Sequence, residues 1–225
     1  MYRKFKEIYI GDAAFYKKVL MIVVPMIIQN LVTNFVSLLD NIMVGQVGTE
    51  QMSGVAIVNQ LMFVYYIAIF GAVSGAGIFG TQFYGKGDYK GQRHAFRFKM
   101  YACIVFALVT IVLFITAGTP LISLYLNDTG GVGDIQKALE FGQGYLRIMI
   151  IGIIPFAIGQ AYISTVRETG ETFVPMLASI AAVFINLVLD YMLIFGKFGA
   201  PELGVEGAAA ATVVARFVEL MIVVI

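Results

Sequence analysis

Six apolar segments follow one another along the chain, roughly 18 to 44, 52 to 83, 97 to 117, 138 to 165, 173 to 196 and 205 to 225. Each is long enough to cross about 30 Å of hydrocarbon as a helix. The pattern predicts an all-α membrane protein, six transmembrane helices in a single unit over 1–225. The first segment is not uniformly apolar. Between Pro25 and Gly45 the polar residues Gln29, Asn30, Thr33, Asn34, Ser37, Asp40 and Asn41 recur at spacings of three and four. At about 100° per residue they fall within an arc of roughly 140°, while residues such as Leu31, Phe35, Leu38 and Ile42 fill the opposite side. One side of this helix suits lipid; the other suits a polar interior.

Later segments carry shorter versions of the same pattern. In the fifth, Ser179, Asn186 and Asp190 are seven and four residues apart and share one face within roughly 40°. In the sixth, Thr212, Arg216 and Glu219 again share a face, with Arg216 and Glu219 one turn apart and read as neutralising each other. The second segment has small residues at Gly71, Ala72, Gly75, Ala76 and Gly80, which predict close approach of a neighbouring helix. The third, from Ala102 to Thr116, is almost free of polar groups and reads as lipid-facing. Pro155 interrupts the fourth, which holds Gln160 and Ser164 one turn apart, and the 118–137 connection, with Pro120, Asn127, Asp128, Gly130, Gly131 and Gly133, reads as an external loop.

Composition agrees with the pattern. The chain is 60% hydrophobic and 13% charged, which excludes an ordinary soluble domain. In such a chain the placement of Lys and Arg is more informative than the net charge of +1. Arg3, Lys4, Lys6, Lys17 and Lys18 precede or open the first segment; Lys86, Lys90, Arg93, Arg97 and Lys99 lie in the 84–99 connection, and Arg167 in the 166–172 turn. Lys137 and Lys197 stand alone on the other side. The excess places the N-terminus and the 84–99 and 166–172 connections in the cytoplasm. Cys103 is the single cysteine and His94 the single histidine, so no internal disulfide and no Cys/His metal cluster is expected.

Catalytic motifs do not emerge. GTQFYGKG, from Gly80, approaches a phosphate-binding loop, but Gly87 replaces the hydroxyl residue that would hold magnesium and no strand precedes it. The basic 84–99 connection is explained by orientation and anionic lipid rather than nucleic acid. What remains is two carboxylates within apolar segments, Asp40 and Asp190, with Asn186 and Thr212 as neutral oxygen donors. Carboxylate, amide and hydroxyl oxygens suit sodium or a proton rather than a soft metal, and ionisable residues inside a span are functional candidates. Plainer accounts stand beside this one: Asp40 as an interfacial carboxylate, Asp190 with Asn186 as a packing pair, and Thr212 bonding its own helix backbone.

Four stretches carry a family resemblance: LLDNIMVGQVGTEQMSGVAIVNQ from Leu38, FGTQFYGKGDYKGQRHA from Phe79, VRETGETFVPM from Val166 and NLVLDYMLIFG from Asn186. Together they resemble the N-terminal half of the multidrug and toxic compound extrusion (MATE) family. The resemblance implies one six-helix lobe of a twelve-helix carrier that exports small amphipathic or cationic compounds against inward sodium or proton flow, with no cofactor and no enzymatic activity. It further implies that Pro25 bends the first helix and that Asp40, Asn186, Asp190 and Thr212 form the lobe's cation site. Gln29, Asn30, Thr33, Asn34, Ser37 and Gln160 are then expected to line the cavity. Gln160 stands where relatives often carry Asn, and RETGET, with Glu168 and Glu171, replaces the commoner RGxGDT, a change expected to affect only the turn. A bacterial inner membrane is the expected location.

Because alternating access needs one bundle to rock against another, the expectation is a truncated chain or a pairing of two copies. Two other readings compete. A lipid-linked oligosaccharide flippase would need a cationic cavity for pyrophosphate, whereas the spans offer acids and only Arg147 and Arg216. A non-transporting membrane interaction subunit would use the six helices only to bind a partner.

Overall fold

The structure, a computed structural model, describes residues 11–128 and 134–225. Arg3, Lys4, Lys6, Gly130, Gly131 and Gly133 lie outside the described residues, as do the side chains of Asn127 and Asp128. The described chain is helical throughout: α1 Ala13–Val47, α2 Thr49–Gly85, α3 Tyr89–Asp128, α4 Ile135–Ile151, α5 Ile153–Glu168, α6 Phe173–Phe195, a 3-10 turn at Lys197–Gly199, and α7 Val205–Val224. Five of the helices are long and apolar enough to span a membrane, and α4 with α5 forms a sixth candidate bent by 48°. This is an integral, multi-pass membrane architecture. Its outer surface is apolar, with Val105, Val109 and Val112 of α3 exposed where lipid would lie.

The bent pair α4/α5 occupies the centre, touching α2, α3 and α7, while α1 packs chiefly on α6. The bend falls at Gly152 rather than at Pro155 itself. Proline has no N–H to give the carbonyl four residues earlier, so the helix stops and restarts just before it. The Tyr65 hydroxyl donates to the Ile153 carbonyl at 2.8 Å and ties α2 to this break.

Three expectations are corrected here. The 118–137 connection is not wholly a loop, because α3 continues through Pro120 to Asp128. Buried Ile122 and Leu126, one turn apart, hold that extension against the bundle, outweighing the turn-forming residues around them. The row of small residues in α2 is only partly a packing surface: Ala76 and Gly80 are buried, but a Cβ at Gly71 or Gly75 would meet nothing within 4 Å. The close approach occurs elsewhere, where a Cβ on Gly54 would lie 2.5 Å from the Ala138 carbonyl and 2.8 Å from the Gly142 nitrogen.

The third correction concerns Lys99 and Glu168. Lys99 is fully buried rather than an interfacial charge, and its Nζ donates to Glu168 at 2.5 Å and Thr165 at 2.7 Å. Glu168 therefore does more than shape a turn. It also accepts from Ser164 at 2.8 Å and fills the space left by Gly77 and Gly80.

Candidate functional site

The polar arc of α1 borders a cavity of about 470 Å³ that α2, α4, α5, α6 and α7 complete. Gln29, Asn30, Thr33, Ser37 and Asp40 line it, as do Gln160, Asn186 and Thr212. Asn34, expected there too, is exposed and is not part of the lining. It occupies the far edge of the 140° arc, so a small rotation of the helix takes it out of the cavity. Gln160 also borders a second cavity, about 550 Å³, reaching toward Arg167 and Glu168.

At one end of the lined cavity the carboxyl groups of Asp40 and Asp190 face each other closely enough to interact directly. Asp190 is fully buried, and neither of its oxygens, nor Asp40 Oδ1, receives a hydrogen bond from a neighbouring donor. Two residues from helices 150 positions apart in sequence thus meet because α1 packs on α6. One turn from Asp190, Asn186 Nδ2 donates to Thr212 Oγ1 at 3.5 Å, so this threonine faces the neighbouring helix rather than only its own backbone. The four residues singled out by the sequence are therefore gathered in one region.

The opposite end is held by a chain of side-chain hydrogen bonds. Arg167 Nη2 donates to Gln29 Oε1 at 2.6 Å, Gln29 Nε2 donates to Ser179 Oγ at 2.6 Å, and Ser179 donates to Glu219. Pro25 lies one turn before Gln29, and α1 continues unbroken through it. The predicted pairing of Arg216 with Glu219 is not formed. Glu219 is taken by Ser179, while Arg216 donates to the Tyr66 hydroxyl and lies over the Phe156 ring.

Several neighbours of the acids escaped the sequence pattern. Tyr145 of α4 lies near both carboxylates and donates to Asn59 Oδ1 at 3.3 Å. Asn59 and Tyr66 of α2 also line the cavity. Asn59 was legible as an amide within an apolar run, whereas a lone Tyr on an apolar helix carries no such signal.

Comparison with known proteins agrees with this architecture. The MatE family model matches residues 25–192, which include three of the four gathered polar residues. The chain belongs to the MatE family. Among curated MatE relatives, it is 32% identical over 203 residues to the probable multidrug resistance protein NorM of Thermotoga maritima, covering 90% of this chain and 42% of that protein. It is 31% identical over 198 residues to the protein of the same description from Bacillus subtilis, covering 87% and 42%. The chain thus spans well under half the length of these relatives. A solved MATE structure in the straight conformation superposes with a TM-score of 0.81 at 21% identity, covering 92% of this chain and 44% of that one. One in the bent conformation gives 0.77 at 22% identity with the same coverage. The fold of this MatE chain is therefore that of one part of a larger helical membrane protein.

Proposed function

We propose that this chain is the N-terminal lobe of a cation-coupled exporter of small amphipathic or cationic compounds, a transporter and not an enzyme. The observation that carries the reading is the facing pair of Asp40, half-buried and open to the polar cavity, and Asp190, fully buried behind it with no hydrogen-bond donor at either oxygen. Two carboxylates in contact away from water cannot both stay charged at low cost. A proton shared between them, or a sodium ion held with the oxygens of Asn186 and Thr212, relieves that repulsion.

Loss of that ion restores the repulsion, so occupancy of the pair and the shape of the cavity are linked. Gln29 and Pro25, both on the helix that carries Asp40, supply the route by which this reaches the lower part of α1. One charge moving inward through 100 mV is worth about 2.3 kcal/mol, enough to drive uphill export of a weakly held compound. The relatives' description as probable multidrug resistance proteins supports this reading. Exposed Lys86, Lys90, Arg93 and Arg97 at the α2–α3 end support a cytoplasmic N-terminus, and a bacterial inner membrane is the proposed location.

The decisive experiment replaces Asp40 with Asn in the complete natural protein reconstituted in liposomes. Ion-driven export of an organic cation should be abolished. Export at the unaltered rate would overturn the assignment, and comparison of imposed sodium and proton gradients identifies the coupling ion.

A further inference from the structure

Among the described residues, Arg216 is the one cation lining the cavity of about 470 Å³, and the ion-coupling reading does not use it. Its guanidinium lies against a pair of touching aromatic rings, with Cζ 5.2 Å from the centre of Tyr66 and 4.8 Å from that of Phe156. Its stem occupies the gap at the α4/α5 break, where a Cβ on Gly152 would lie 3.1 Å from Arg216 Cδ. Nη2 donates to the Tyr66 hydroxyl. Nη1 is buried and donates to nothing. The acid one turn away, Glu219, is already held by Ser179.

A guanidinium keeps its charge at any physiological pH and presents a fixed fork of donors. Burying one nitrogen of that fork without an acceptor is costly, and an anionic oxygen is the acceptor that best removes the cost. The surroundings restrict what can bring it. Two aromatic rings adjoin the guanidinium, and the same cavity carries Met149 together with Asp40 and Glu219, acids that repel a bare polyanion and attract an amine.

We infer that Arg216 is a specificity-determining residue that binds the carboxylate of an amphipathic, zwitterionic substrate, whose amine is directed toward the cavity's acids. This deepens the export reading and rests on it for the word substrate. It differs from a pyrophosphate site, because a single arginine among acids matches one negative charge and not several.

The test uses the complete protein, purified in detergent, with Nε-dansyl-lysine as a fluorescent zwitterion and its methyl ester as the matched monocation. Wild type should bind the zwitterion on the order of 10- to 100-fold more tightly than the ester, the range of one charge-assisted hydrogen bond. Arg216→Gln should bring that ratio to about one. Arg216→Lys keeps the charge without the fork and should give an intermediate ratio, which also serves if the glutamine variant does not fold. A wild-type ratio near one, or a ratio that either variant leaves intact, overturns the assignment. Export is scored separately. Selective binding without ion-driven export sinks the exporter reading and leaves the Arg216 site standing, whereas export of monocations with no preference for the zwitterion sinks the Arg216 site alone.

Discussion

Lys99, with no surface exposed to solvent, donates to Glu168 across 2.5 Å and links α3 to the end of α5. Breaking such a pair leaves one buried charge without its counterion, which typically costs 3–5 kcal/mol. Lys99→Met and Glu168→Gln should therefore each lower the detergent melting temperature strongly. The double variant Lys99→Met/Glu168→Leu should recover much of that loss, since matched apolar residues carry no charge to desolvate. A double variant as unstable as either single one would show that the pair is not the unit.

The contact of α2 with α4 depends on having no side chain at Gly54, because a methyl there would strike the backbone of Ala138 and Gly142. Gly54→Ala should destabilise the bundle by about 1–3 kcal/mol, as overpacking does. Gly75→Ala, with open space around it, should be neutral or stabilise by up to about 1 kcal/mol through helix propensity. Thermal unfolding followed by circular dichroism compares the two.

Gln29 joins α1 to both Arg167 and Ser179, and the helix before it is mostly exposed. Gln29→Leu keeps the volume and removes both hydrogen bonds. Hydrogen exchange of residues 13–28 should accelerate several-fold while α6 is unchanged. Equal protection in the two proteins would mean that this side chain does not anchor the helix.

Asp190 opposes Asp40 with neither of its own oxygens, nor Asp40 Oδ1, receiving a hydrogen bond from a neighbouring donor. In sodium-free alkaline buffer, where neither ion nor proton separates the pair, an amide at position 40 removes the like-charge repulsion and can donate to Asp190, so Asp40→Asn should raise stability there by about 1–2 kcal/mol while abolishing ion coupling. A melting temperature below that of wild type would contradict the repulsive pair.

Much of the molecule was determined by sequence alone. Six apolar stretches, the polar arc of α1 and the positions of Asp40, Asn186, Asp190 and Thr212 were legible because helix periodicity and the cost of polar groups in hydrocarbon act locally. Tertiary structure decided who meets whom. Packing of α1 on α6 put Asp40 against Asp190, and rotation of α1 left Asn34 outside the cavity. Burial of Ile122 and Leu126 turned an expected loop into helix. Lys99 and Arg216 show the difference most clearly. Their charge is written in the sequence, but the local pattern points one to the membrane surface and the other to Glu219, three residues on. A long side chain chooses its partner by what the neighbouring helices bring within reach, and those helices placed Glu168 beside one and two aromatic rings beside the other.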